Sequence, residues 1–342
     1  MKKLERLCKW ILISILLQIT FLVYINFVYL PNRGIVKATL YELTDDLTEN
    51  RSMKISADAK NIHVSFSGLF TAFMNGGNLV IADIKKNKTV KSINPAGGEF
   101  TYYRWLPDRE ILIYSVKSPG GGNGEVQIST YDIDPGLERS YPKISGLPDG
   151  SSVSDIELSP LTNVVYVMIN IGDACAKIYR YDIMDNISFI MNSGTNSVIK
   201  ETTYSDNLVY QTESGKITSR NGTNGKNYSI SLNGKVVLLA VDSEDNIYVG
   251  ELNEEKKVLN IKYGKCDQKV KTWLQIKLNV PVVSTDVFVT PDGTIYCVER
   301  QENRIYTVGD GSDFSYDGEL LEVLDHYIVS KNDNWLKLLA LK

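Results

Sequence analysis

Two hydrophobic patterns divide the chain. From Trp10 to Leu30 the sequence WILISILLQITFLVYINFVYL runs without a charge. Beyond it the apolar residues come in short alternating runs, broken by Gly, Asn, Asp and Pro. No segment after Leu30 keeps a 3.6-residue period over three turns. Period 2 dominates, which predicts β-strands.

The strands come in fours. TYYRWLPD, EILIYSVKS, EVQISTYDID and ERSYPKISG fill residues 101–146, and SDIELSP, NVVYVMINIG, AKIYRYDIM and ISFIMNSG fill 154–194. NIHVSFSG, LFTAFMNG, NLVIADIK and KTVKSIN form an earlier quartet, and three more follow residue 199. An aromatic recurs in the second strand at Phe73, Tyr114, Tyr166, Tyr210, Tyr248 and Tyr296, so the repeat is 38 to 52 residues long. One such sheet is too thin to bury both faces alone. Stacking sheets around an axis buries each against its neighbours, and the predicted fold is all-β, a β-propeller.

The chain ends suggest how the ring closes. LLEVLD, HYIVSKND and WLKLLAL make three strands of a last unit without a fourth. IVKATLYEL (Ile35–Leu43) has no unit of its own, and pairing it as the missing outer strand would remove an exposed edge. Counted so, residues 34–342 make seven blades of about 44 residues each. Six blades is the alternative count, and it leaves WLKLLAL uncovered.

The turn between first and second strands reads LPDRE, SPLTN, YSDN, DSEDN and TPDGT, chemistry suited to tight hairpins. RWLPDREILIYS and VFVTPDGTIYCV resemble the repeats of TolB-like and dipeptidyl-peptidase amino-terminal propellers, a W/F-x-PDG-x-x-I-x-Y theme. The resemblance runs in imperfect copies from about residue 60 to 300. It implies the propeller fold and little about activity. The Gly-His and Trp-Asp signatures of WD repeats are absent. No G-x-S-x-G nucleophile elbow occurs either, and the strand pattern leaves no room for the α/β domain of a dipeptidyl-peptidase.

The apolar segment sets the expected address. At about 1.5 Å per residue it reaches roughly 31 Å, enough to cross a bilayer core. Lys2, Lys3, Arg6 and Lys9 precede it against Glu5 alone. The positive-inside rule then keeps residues 1–9 cytoplasmic, makes 10–30 a transmembrane signal anchor, and places the propeller (34–342) outside. A cleaved signal peptide ending at Ala38 is the alternative, but the apolar run exceeds the usual 7–15 residues. Cys8 precedes the apolar run instead of closing it, which disfavours a lipoprotein. Abundant Lys, Asn and Ile point to a bacterial membrane.

Composition narrows the chemistry. With net charge −4, four Cys and two His in 342 residues, the chain is neither a disulfide scaffold nor a nucleic-acid binder. Cys175, Cys266 and Cys297 read as structural or incidental, a Cys266–Cys297 bridge being the less favoured alternative. His63 and His326 sit in strand patterns and read as packed or surface residues. Asp310, Asp313, Asp317 and Glu319, and likewise Asp132 and Asp134, lack the alternating spacing of a calcium loop and read as solvated turns. Gly120–Gly124 reads as a hairpin loop, because a phosphate cradle needs a helix after it. Lys85–Lys86 and Lys256–Lys257 read as solvated turns. The expected function is a non-enzymatic module docking an envelope protein, peptide or glycan, without cofactor or metal. A lyase or metal-dependent hydrolase at the central channel is the alternative.

Overall fold

The computed structural model describes residues 2–24, 49–118 and 124–341. The chain divides into two units, Met1–Thr44 and Asp45–Lys342.

In the first unit, helix α1 spans Lys2–Tyr24. It contains neither Pro nor Gly, and its Lys, Leu, Glu and Arg are good helix formers, so no breaker separates the basic tail from the apolar run. Residues 2–9 are therefore helical as well. Its side chains from Lys9 to Tyr24 are exposed. Among the described residues no helix is long and apolar enough to cross a membrane. Ile25–Leu30 of the expected span, the cleavage point at Ala38 and the strand Ile35–Leu43 lie outside the described residues.

The second unit is a seven-bladed β-propeller. Six blades come from consecutive segments: Lys60–Ile93, Glu99–Leu147, Ser152–Ser193, Val198–Ile230, Val236–Val283 and Val287–Ser315. The seventh combines Glu319–Val323, Tyr327–Asn332 and Trp335–Ala340 with Arg51–Lys54 from the other end of the domain. That last strand runs antiparallel to Trp335–Ala340, with Arg51 opposite Leu338 and Lys54 opposite Trp335. The ring therefore closes with a strand from each end, as expected, but the amino-terminal one is Arg51–Lys54.

Blade 2 departs from its repeat. ERSYPKISG was expected as one outer strand, but Leu137–Ser140 and Ile144–Leu147 pair separately with Gly124–Asp132. Pro142 lies in the gap, and a residue without an N–H cannot continue a ladder.

The core is seven apolar wedges, one between each pair of neighbouring blades. Blades 3 and 4 enclose Tyr166, Met168, Ile178, Ile199 and Leu208. Blades 7 and 1 enclose Met53, Val64, Phe73, Tyr327, Leu336 and Leu338, so the closing seam is packed like the others. Each fully buried Leu, Ile or Val contributes roughly 1.5–3 kcal/mol. Three of the five recurring second-strand tyrosines donate their hydroxyls to carboxylates. Tyr114 donates to Glu138, Tyr166 to Asp206 at 2.6 Å and Tyr248 to Asp242 at 2.9 Å.

Candidate functional site

The first strand of every blade lines the axis. In blades 1, 2, 3, 5 and 7 its register against the second strand slips, at Lys60/His63, Phe100/Tyr102, Val153/Asp155, Leu238/Ala240 and Leu320/Glu322. A bulge re-aims the side chains after it. In four of these blades the residues that follow are ionisable or phenolic: His63, Tyr102 and Arg104, Asp155 and Glu157, and Glu322.

Three blades contribute one charge network. Arg104 of blade 2 and Lys200 of blade 4 both meet Glu157 Oε1 of blade 3, at 3.2 and 2.5 Å. Arg104 also donates to the Ile156 carbonyl at 3.1 Å, and the Tyr102 hydroxyl donates to Asp155 at 2.9 Å. Burial opposes ionisation of Glu157, but Lys200 and Arg104 together outweigh it and hold the carboxyl below its ordinary range. Burial and the neighbouring Glu157 push Asp155 the other way. Beside them Glu201 is buried, and neither of its oxygens has a hydrogen-bond partner among the described residues. Burial, with Asp206 and Glu157 nearby, raises its carboxyl well above the ordinary range.

The turns between first and second strands crowd around one mouth of the channel and are linked blade to blade. Arg109 reaches the Pro160 carbonyl at 3.3 Å, Ser159 the Thr203 carbonyl at 2.6 Å, and Ser243 N–H the Pro291 carbonyl at 2.8 Å. Asp245 accepts from the Thr203 and Tyr204 amides, and Ser67 donates to the buried Glu110. These bonds tie the turns of blades 1 to 6 one to the next, a collar around most of the mouth.

Two cavities open inside that collar. One, of about 360 Å³, is lined from blades 1, 2, 6 and 7 and includes His63, Phe66, Trp105, Pro291, Glu322 and Asp325. The other, of about 490 Å³, is lined from blades 2 to 6 and includes Glu157, Lys200, Glu201, Leu161 and Tyr204. They share Arg104, Pro107, Val289 and Pro291, so together they draw on all seven blades. Leu161 and Tyr204 stand exposed on the rim.

The sequence named no site residue, and several candidates are redistributed here. His63 lines the smaller cavity, its Nδ1 3.3 Å from Glu322 Oε2, while Glu322 Oε1 accepts from the Val64 amide. His63, read as a packed or surface residue, is partly exposed and stands on the wall of this cavity. His326 lies beside Asp292, just ahead of Tyr327–Asn332. Asp310 caps the Ser312 amide at 2.9 Å, Asp313 meets Arg304 at 3.4 Å, and Asp317 pairs with Lys337 and accepts from Asn332 at 2.8 Å. Asp132 accepts from the Asp134 amide at 3.3 Å, and Glu319 is exposed. Asp134 and Asp310 lie in turns, whereas Asp132, Asp313 and Glu319 lie in strands and not in the turns expected. Among the described residues no group of three His, Cys, Asp or Glu is placed to hold a metal ion. Cys175, Cys266 and Cys297 are free thiols, so no Cys266–Cys297 bridge forms. Gly120–Asn123 lie outside the described residues, and Gly124 opens a strand.

The sequence reading missed the charges of the mouth, although a signal for them was there. Arg104, Glu157, Lys200 and Glu322 sit in first strands that otherwise read as buried, and a charge recurring there from unit to unit marks the axis.

No protein-family model and no curated protein matches the sequence. Solved structures do match, and they show the fold. The β-propeller domain of Myceliophteria thermophila Cps50 (Swd1) superposes with TM-score 0.54 at 12% identity, over 86% of this chain and all of that one. A chain of the mitotic checkpoint complex gives 0.54 at 12%, over 90% and 99%. A prolyl endopeptidase gives 0.54 at 13%, over 77% of this chain and 42% of that chain. The protein is of the β-propeller class.

Proposed function

We propose that this propeller is a non-enzymatic docking module whose partner, a protein or peptide, seats on the collared channel mouth. One observation carries the reading: two adjoining cavities draw on all seven blades and are rimmed by exposed Leu161 and Tyr204. A rigid rim, concave and partly apolar, with aromatic anchors is what a hot-spot interface needs. The deeper charges support a binding role, since Arg104 and Lys200 are spent on Glu157 and leave no activated nucleophile beside them.

The same reading puts the propeller outside a cytoplasmic membrane, anchored by the uncharged run 10–30, of which α1 covers the part up to Tyr24. Its support is the uncharged and largely apolar run from Trp10 to Tyr24, exposed along the helix, behind four basic residues. Kinship with TolB-like and dipeptidyl-peptidase propellers is supported by the turn Thr290–Thr294. There Asp292 accepts from Thr290 Oγ1 at 2.6 Å and the Thr294 amide at 3.0 Å, while Gly293 takes φ +85°.

A photo-crosslinking amino acid at Tyr204, compared with one at Ser214 on the opposite face, tests the docking site. Adducts at 204 that vanish with Leu161→Asp are expected. Equal adducts at both positions, or insensitivity to Leu161→Asp, overturn the reading.

The pairing of His63 with Glu322 favours a second reading, an eliminating or hydrolytic enzyme with His63 as base. Turnover of a glycan or ester that disappears in His63→Gln would support it. Unchanged turnover in that variant removes it.

A further inference from the structure

The smaller cavity holds a carboxylate without a counterpart. Asp325 lies in the turn before the second strand of blade 7, and its Oδ1 has no hydrogen-bond partner among the described residues. Burial, then the facing Asp292 carboxylate, push its carboxyl up to about 6, although the Asp292 amide favours the ionised form. The cavity also contains Glu322, held by the Val64 amide and His63 Nδ1. Arg104 is the other charged group in the lining, and its guanidinium is engaged by Glu157 and the Ile156 carbonyl. An anion placed here would face two carboxylates.

The walls are apolar and aromatic. Trp105 is fixed by its indole N–H, which donates to the His63 carbonyl at 3.1 Å, and Phe66, Leu106 and Leu324 complete the surface. At about 360 Å³ the cavity is at the small end of ligand pockets, the size for one side chain. Aromatic faces attract cations, and a desolvated carboxylate recovers its burial cost when a cation joins it.

We infer that this cavity takes a cationic N–H group on an apolar stem, an arginine or lysine side chain of the docked partner, with Asp325 and Glu322 as its carboxylate partners. The identity of the carrier rests on the docking reading; the chemistry of the pocket does not.

The test is calorimetry on the full chain with N-acetyl-arginine methylamide, the lysine counterpart and the neutral citrulline counterpart. Both cations are expected to bind, and citrulline at least tenfold more weakly. Binding at pH 6 should release protons, seen as a buffer-dependent heat. Affinity should fall about tenfold from pH 7.5 to 5 as Asp325 protonates. Asp325→Asn should abolish binding and Asp317→Asn should not. The inference is overturned if citrulline binds as tightly as arginine, if Asp325→Asn binds like the parent, or if neither cation binds the folded protein.

The two ideas separate cleanly. If Asp325→Asn leaves the 204 adduct unchanged, the cationic pocket falls and docking stands. Cation binding without any adduct sinks docking and keeps the pocket.

Discussion

Met53 lies directly opposite Leu336 across the seam where the two ends of the propeller meet, and both side chains are buried. Arg51–Lys54 is short, with Met53 its buried residue, so this contact bears most of the apolar closure of the outer edge. Met53→Asp sets an unpaired charge in the wedge between blades 7 and 1. A loss of about 3 kcal/mol or more is expected, measured by chemical denaturation. Faster hydrogen exchange in Trp335–Ala340 should accompany it, and retained protection there would mean closure does not depend on this strand.

Much of the architecture was legible. Alternation, the quartets and the spaced aromatics led to seven blades, and the unpaired last unit led to a strand donated from the amino end. The donor was misplaced because Arg-Ser-Met-Lys offers a single apolar residue, whereas Ile35–Leu43 looks like a strand. Blade 2 hid its break because Pro142 interrupts an otherwise good alternating run. The mouth was less legible for a different reason. His63 and Glu322 are 259 positions apart, and only ring closure makes them neighbours.

Asp206 ties two neighbouring blades. It accepts from Arg180 Nη2 at 2.6 Å and from the Tyr166 hydroxyl at 2.6 Å, with both partners of the ion pair largely buried. Asp206→Ala leaves a buried guanidinium and a buried phenol unsatisfied. Such single removals cost about 3 to 5 kcal/mol. Removing Arg180 as well should cost less than the two single losses added together, which a double-mutant cycle would reveal.

Stability should carry the mark of Asp325. Its folded carboxyl titrates near 6 against an ordinary 3.8, so between those values the folded state holds more protons than the unfolded. Its contribution is therefore favourable at low pH and is lost as pH rises from about 4 to 6. Asp325→Asn should raise the melting temperature at pH 7.5, by an amount equivalent to about 1 kcal/mol after allowing for partial exposure, and change little at pH 4. A variant less stable than the parent at pH 7.5 contradicts this.

Thiol reactivity should follow depth. In a Cys8→Ser background, exposed Cys175 is expected to react with maleimide within minutes. Buried Cys297, its thiol pushed up to about 11 by burial, should react only on unfolding. Mass spectrometry of native and denatured samples reads the two sites separately, and native labelling of Cys297 would show that blade 6 opens.

Gly68 marks how closely the first blade approaches the seam. Its φ is +68°, and a Cβ there would stand 2.6 Å from the Tyr327 ring. Gly68→Ala should destabilise by about 2 kcal/mol, through backbone strain and the displaced ring together. Thermal melts of the variant test this, and an unchanged melting temperature would show that Tyr327 moves aside freely.

A strand at residue 51 that waits for partners beyond residue 334 has a consequence for biogenesis. While the chain is being synthesised, the first six blades can assemble in order, but the ring stays open until Trp335–Ala340 has left the ribosome. Loss of Trp335–Ala340 would then leave Arg51–Lys54 and Tyr327–Asn332 without their shared partner, an open flank for proteases.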